Sequence, residues 1–598
     1  MSSPTTPEPS GSAADADQQA ELQAEFQAEI GEAARESQAG DLDANPPSAA
    51  GRTVARNSAV MASGTVVSRV TGVLRDVAMT AALGFYLVSD AYSLGNSLPN
   101  IVYILVIGGA LNAVFIPQLV RRMKEDEDGG TAYADRLLTL VSTVLLVLSV
   151  LAVLLAPWIV DLYTPDNYPP EQFDLAVAFA RLCLPQIFFY GVYAMLGQVL
   201  NARGRFGAPM FAPIANNVIA IATFLLFIAV AGTSAASDGN LTSQQVLILG
   251  IGTTLGVVAQ ALILIPVLWR SGHVWRPRFD WRGAGLGKAG GLAAWTIGLV
   301  LVNQVTYLLI TRLATLANVN ASDAGKVAAG LTTYQKAHLV FMLPHSVITV
   351  SVVTAMLPAL SRVAHSGNLR LVGSDVARTM RSVGALIVPV AAVLIINGGS
   401  IAVLLFGYGA ATPSQAALMG TIVSVFTIGL LPFTLFYILL RGYYALEDTR
   451  TPFWMTVFYS IVMLALMYPL FYFAPPGGNQ VAAIALAYAL AYWVALALTW
   501  WVLARRLGSL ESRRTMWSLG RLLLAGIVAL IVMLGILVTL LHLETGGVAA
   551  TRKPDLLVNV IVTSAVGLVV YLVAAWAMRV PEVSDVLSLG KRVIRRSR

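Results

Sequence analysis

Cysteine is nearly missing from this chain: Cys183 is the only one among 598 residues. That excludes a disulfide framework and a cysteine-built metal site. Its place in an apolar run marks Cys183 as a small buried hydrophobe rather than a nucleophile. Histidine is also scarce, with five copies. His338 and His345 fall seven apart on one predicted helix with no evident carboxylate or cysteine to complete a metal set, so they read as structural. Neither a metal nor a cofactor is expected. Charged residues make up only 12 % of the chain and apolar ones 57 %, a balance that excludes an ordinary soluble enzyme. The N-terminus also lacks the basic and then apolar pattern of a signal peptide.

What is present is a long series of apolar stretches of about 20 residues, each long enough to cross a bilayer as a helix. About fourteen are predicted, near 58–83, 92–120, 137–160, 175–200, 210–232, 245–269, 290–316, 326–360, 382–406, 415–440, 453–474, 480–504, 519–541 and 556–578. The expected fold class is an all-α polytopic membrane protein. Residues 1–55 are polar, acidic and rich in Ser, Ala and Pro, the composition of a disordered cytoplasmic tail. Leu22, Phe26 and Ile30 recur in it at helical spacing, which leaves open a short amphipathic docking helix.

Loop charges set the orientation. With the N-terminus inside, the inner loops carry clusters such as Arg121, Arg122 and Lys124, Arg276, Arg278 and Lys288, or Arg505, Arg506, Arg513 and Arg514. Outer loops at 161–174, 232–244, 318–325, 407–415 and 474–480 carry no Lys or Arg, and only Arg552 and Lys553 fall outside. This is the positive-inside pattern, with both termini cytoplasmic. It also accounts for the net charge of +7 without nucleic acid, because the basic residues are spread over many loops and form no recognition motif. The short outer loops hold no catalytic constellation, so no enzyme is expected.

Proline landmarks repeat along the chain. Phe115-Ile116-Pro117 resembles Met356-Leu357-Pro358, and Gly204-Arg205-Phe206-Gly207-Ala208-Pro209 is matched in position by Glu447-Asp448-Thr449-Arg450-Thr451-Pro452. Six spans per repeat preserve orientation and predict two six-helix lobes in parallel repeat, plus two extra C-terminal helices. The predicted divisions are a tail at 1–55, an N-lobe at 56–288, a C-lobe at 289–515, the added pair at 516–580 and a basic tail at 581–598. In such a repeat a substrate site belongs near the midplane, between the lobes.

Several charges fall at membrane depth, where an arginine costs about 2.5–3.5 kcal/mol on insertion scales. Arg69 and Asp76 are seven apart and share a helix face, Arg75 points roughly 120° away from Arg69, and Gly72 permits close approach. Asp90 opens the second span, Pro99-Asn100 interrupts it, and Gly108-Gly109 follow. A broken, glycine-rich helix beside charges suits a moving, cavity-lining element, while helix packing through small residues is the plainer alternative. Lys336 lies deep in the polar run Thr332-Thr333-Tyr334-Gln335-Lys336 and is expected to face a cavity. Arg181 and Lys326 sit near predicted outer ends and are expected to snorkel. For Arg312, within a turn or two of such an end, snorkelling and cavity lining both remain open. Positive charge held at this depth suggests an anionic cargo.

These residues resemble the MurJ/MviN family of lipid II flippases, within the multidrug/oligosaccharidyl-lipid/polysaccharide exporter superfamily. The resemblance spans nearly the whole membrane region. It is carried by Ser68-Arg69-Val70 with Gly72 and Arg75-Asp76, Ser89-Asp90-Ala91-Tyr92, Leu98-Pro99-Asn100, Phe115-Ile116-Pro117, Leu200-Asn201-Ala202 with Arg205-Phe206 and Pro209, and Asp448-Thr449-Arg450-Thr451-Pro452. It implies a flippase that moves the undecaprenyl-diphosphate-linked peptidoglycan precursor, lipid II, from the inner to the outer leaflet of the bacterial plasma membrane. Arg69, Arg75, Asp76, Asp90, Asn100, Arg312 and Lys336 are then the candidate substrate-binding set, and Gly72, Pro99, Gly108 and Gly109 the candidate hinges. The partners implied are lipid II, membrane lipids and, through the N-terminal tail, cell-wall synthesis or division proteins. Tyr103 stands where many members carry a further cavity arginine. Asp448 matches one motif near a sodium site found in some members, but the rest of a ligand set is not evident. The alternatives are export of another lipid-linked saccharide and a non-transporting scaffold for cell-wall synthesis.

Overall fold

The computed structural model describes residues 49–105, 122, 126–128, 130–280, 290–545 and 553–583. The expectations for most of the N-terminal tail with Leu22, Phe26 and Ile30, for Gly108 and Gly109, for Pro117 and for the basic C-terminal end lie outside the described residues. No strand occurs among the described residues. A chain that must satisfy its backbone inside lipid has helices as its simplest solution.

The first half runs α1 (Ala49–Leu83), α2 (Leu87–Tyr103), α3 (Thr131–Leu154), α4 (Ala156–Tyr163), α5 (Pro170–Cys183), α6 (Gln186–Ala202), α7 (Gly207–Ala231), α8 (Ser243–Leu262) and α9 (Leu264–Arg270). The second runs α10 (Gly290–Asp323), α11 (Leu331–Pro344), a π turn at His345–Thr349, α12 (Val350–His365), α13 (Leu369–Phe406), α14 (Pro413–Thr427), α15 (Leu430–Ala445), α16 (Arg450–Phe473) and α17 (Gly478–Leu507). Two more follow, α18 (Ser512–Thr545) and α19 (Lys553–Ala577). Thr242 with Gln245 and Thr412 with Gln415 form capping boxes that start α8 and α14, satisfying end N–H groups before the chain enters lipid.

Among the described residues, eleven spans are long and apolar enough to cross a membrane, and the pair α14–α15, bent by 48°, makes a twelfth. The expected fourteen are not reached by this measure. α1 carries Arg69, Arg75 and Asp76, and α2 has 17 residues up to Tyr103. Both still form continuous helix.

The packing plan of the first half recurs in the second. α1 packs on α7, α7 on α8, α2 on α5, α3 on α6, and α8 on α5 and α6. Correspondingly, α10 packs on α16, α16 on α17, α11 on α14, α13 on α15, and α17 on α14 and α15. The second proline landmark opens α7 and α16, as its spacing predicts. α18 and α19 lie against each other and against α13. Their ends are tied by the buried Arg381 of α13, whose guanidinium meets Glu511 at 3.0 Å and Glu582 at 2.9 Å.

The two bundles meet backbone to backbone where α1 turns into α2. Ala410 N–H donates to Ala81 O at 2.8 Å across the junction. Gly84 and Gly409 both have positive φ, and a Cβ on Gly409 would lie 2.2 Å from Ala81 O. Only glycine fits that turn and that approach.

Candidate substrate cavity

Between the bundles lies a cavity of about 550 Å³ lined by α1, α2, α6 to α8, α10 and α11, with Arg75, Asp76, Asn100, Tyr190, Asn303 and Lys336 among its walls. Its centre is charged. Lys336 Nζ of α11 donates to Asp76 Oδ1 of α1 at 2.6 Å. Arg75 Nη2 reaches Asp76 Oδ2 at 3.5 Å, and Arg75 Nη1 donates to Asn217 Oδ1 at 3.3 Å. Asn217 in turn donates to Thr71 Oγ1 and Ser68 O, which fixes the face that α1 presents. The cavity thus brings together two cations and one carboxylate, surrounded by the amides of Asn96, Asn100, Asn303, Gln304 and Gln335. Arginine and lysine donors of this kind suit phosphate oxygens.

One end of the cavity is shut by a buried latch. Asp90 of α2 accepts from Thr332 N at 2.7 Å, Leu331 N at 3.1 Å and Asn318 Nδ2 at 2.7 Å. The carboxylate therefore caps the N-terminus of α11, where free N–H groups and the helix dipole favour an anion. Ser89 and Ser93 add hydroxyl contacts to Thr332 at 3.0 and 2.9 Å. The approach is possible because residue 330 is glycine: a Cβ there would sit 2.1 Å from Asp90 Oδ2.

The sequence-derived candidates divide accordingly. Arg75, Asp76, Asn100 and Lys336 line the cavity. Asp90 does not line it but latches its end. Arg69 is exposed on α1, about 10 Å along the axis from Asp76, and is outside the cavity wall. Arg312 is not at the cavity either: it pairs with Asp166 of the α4–α5 turn, a largely solvated carboxylate. The long arginine stands about three turns before the α10 C-terminus and extends its head to the solvated turn rather than into the cavity. Pro99 is buried within α2. Gly72 needs no close approach, since a Cβ there would stand 3.7 Å from Asn217 Nδ2, whereas at Gly64 it would press on Phe211 and Met210 at 3.0–3.1 Å. The Tyr103 ring lies 6.1 Å from that of Tyr190, tilted by 41°, and Tyr190 is a cavity residue.

His338 lies within an aromatic cluster with Tyr334, Phe341, Phe426 and Tyr488, and His345 shares a hydrogen bond with Thr434 Oγ1 at 3.1 Å. Both are core residues. Cys183 is buried. Asp448 accepts from Thr451 N at 3.0 Å and pairs with Arg506, so it secures the start of α16. Sequence reasoning missed Asn217, Asn318 and Gly330, and it noted Thr332 in a polar run without its part in the latch. Gly330 directly before Leu331-Thr332-Thr333 was a visible helix-start signal, but its partner on α2 was not.

Two bundles with one packing plan, joined around a polar cavity that is latched at one end, define a membrane transporter of the two-lobed, alternating-access class. The family model described as Lipid II flippase MurJ matches residues 79–551; the chain belongs to this family. A probable lipid II flippase MurJ of Rhizobium tropici is 28 % identical over 516 residues, covering 85 % of this chain and 91 % of that relative. The corresponding protein of Vibrio cholerae is 26 % identical over 494 residues, covering 79 % and 87 %. Among solved structures, a lipid II flippase MurJ in an inward closed conformation superposes with a TM-score of 0.66 at 19 % identity, over 86 % of this chain and 97 % of the other. An inward-facing multidrug resistance MATE family transporter of the MOP superfamily follows with a TM-score of 0.57 at 14 % identity, over 74 % and 96 %. These two establish the shared fold.

Proposed function

We propose that this chain moves lipid II from the inner to the outer leaflet of the bacterial plasma membrane by alternating access. Both termini lie in the cytoplasm in this reading, because the basic loops then face inward. The divisions at 56–288, 289–515 and 516–580 act as two rocking lobes and an attached pair beside which the polyprenyl chain stays in lipid. The observation that carries the reading is the charged centre: Arg75 and Lys336, from opposite lobes, converge on one carboxylate, Asp76, in a polar cavity.

A diphosphate entering this cavity offers the two cations more negative charge than Asp76 does. It takes over Lys336 and Arg75 and loosens the Lys336–Asp76 tie between the lobes. Arg69, exposed along the same helix, attracts the headgroup at the mouth, and Asn100 with the neighbouring amides holds its sugar and peptide groups. Release requires Asp90 to leave the α11 N-terminus, which opens the latched end. Bond making plays no part. An inside-negative potential assists, since each negative charge carried outward gains about 2.3 kcal/mol per 100 mV. The acidic N-terminal tail is the segment available to cell-wall synthesis or division proteins.

The test is transport by the full chain in vesicles containing lipid II, read by a reagent or enzyme confined to one leaflet. Exposure of lipid II that depends on the protein and collapses in R75A/K336A supports the reading. Equal exposure with wild type, the double variant and empty vesicles overturns it.

A further inference from the structure

The first three turns of α18 carry a feature that the cavity does not use. Arg513, Trp517 and Arg521 stand at i, i+4 and i+8, so they share one face, with Met516, Gly520 and Leu524 beside them around a pocket of about 460 Å³. All six are exposed. The opposite face, with Thr515, Ser518 and Leu522, is buried.

The charges on the two faces differ. On the buried side Glu511 and Glu582 are matched by Arg381 and Arg514. On the exposed side Arg513 has no carboxylate partner among the described residues, and Arg521 lies over the Trp517 ring, 5.6 Å from its centroid. Gly520 lies between the arginines, and nothing comes within 4 Å of the position its Cβ would take. No packed neighbour requires glycine there. Its effect is a dent between two guanidiniums, at the level of an exposed tryptophan of the kind that anchors at headgroup depth.

Beyond the dent the same face turns apolar. Leu524, Ile527, Ile531 and Leu534 are 51 %, 50 %, 66 % and 52 % exposed. A ligand fitting this stripe is anionic at one end and apolar along the rest. We propose that Arg513, Trp517, Gly520 and Arg521 form a binding site for the phosphate headgroup of an anionic glycerophospholipid, with its acyl chains lying along Leu524 to Leu534. Guanidiniums bind phosphate bidentately, and juxtamembrane basic residues attract anionic lipid at short range. The site shares no lining residue with the cavity.

The test is lipid binding to the purified full chain by native mass spectrometry, with phosphatidylglycerol, phosphatidylcholine and lipid II as probes. R513Q and R521Q each lower phosphatidylglycerol affinity about fivefold, and the pair by roughly 25-fold. G520L fills the dent and lowers it as well, while improving the intrinsic helix preference. R514Q, which faces Glu511, leaves it unchanged, as do all variants for phosphatidylcholine. Unchanged phosphatidylglycerol binding in R513Q/R521Q overturns the proposal, and so does a loss confined to lipid II. Thermal unfolding of each variant without added lipid separates binding loss from misfolding.

Discussion

Lys336 and Asp76 meet at 2.6 Å across the lobe junction, with their side chains only 8 % and 10 % exposed. Each residue is an expensive guest at membrane depth, and each lowers the cost of the other. The pair therefore joins two tasks: it ties α1 to α11 and keeps a cation in the cavity.

Removing one partner separates these tasks. D76N leaves Lys336 without its carboxylate and is expected to lower stability by about 2–3 kcal/mol, below the fully buried case because the pair borders a polar cavity. D76N/K336Q should recover part of that loss, giving a coupling energy of about 1 kcal/mol or more. Thermal unfolding in detergent measures the stability terms. Transport should fall at least tenfold in K336Q and in R75Q, with K336R retaining more activity than K336Q.

The latch makes a steric prediction. Gly330→Ala places a methyl carbon 2.1 Å from Asp90 Oδ2 and 2.5 Å from Asn318 Cβ, so the carboxylate and the Asn318 side chain that holds it must shift off the α11 N-terminus. Ala329 is fully buried beside it. In a Cys183→Ser background, Ala329→Cys should resist maleimide when residue 330 is glycine and react at least tenfold faster with Gly330→Ala. Asp90→Asn should act in the same direction more weakly, since an amide oxygen still accepts one bond.

Arg312 provides a contrasting case. Its partner Asp166 is 98 % exposed on the side chain, and solvated ion pairs contribute about 0–1 kcal/mol. R312Q should change lipid II affinity less than twofold and shift unfolding by no more than a few degrees. A tenfold loss of lipid II affinity would return Arg312 to the binding set.

A pH effect is expected at the α9–α10 connection. His273 is buried between Arg203, 3.1 Å from its Nδ1, and Asp135, 3.1 Å from its Nε2. Burial holds the imidazole below its ordinary value of 6.5, and Arg203 acts in the same direction against the opposing pull of Asp135. The unfolded chain takes up a proton near 6.5 while the folded chain resists it. This contribution is fully present above 6.5 and is lost as pH falls from 6.5 towards the lower folded value. Unfolding temperature measured from pH 7.5 to 5 should decline less steeply in H273Q than in wild type.

Chain-local physics made much of this protein legible. Apolar run length called for helices, loop charge implied an orientation, and the repeated landmark at Gly207 and Arg450 marked matching helix starts. Arg75, Asp76 and Lys336 stood out because charged groups at membrane depth need water or a partner, and Asn100 through the family resemblance. Which partner each would find was not encoded locally. Asp76 and Lys336 are 260 positions apart, Asp90 caps a helix more than 240 positions later, and Arg312 is drawn to Asp166 instead of the cavity. One helix face can meet many others at the same local cost. The sequence by itself determined a multi-helix membrane protein with buried charge in its first helix; the packing of the two bundles decided which charges share a cavity, which form its latch and which only reach the surface.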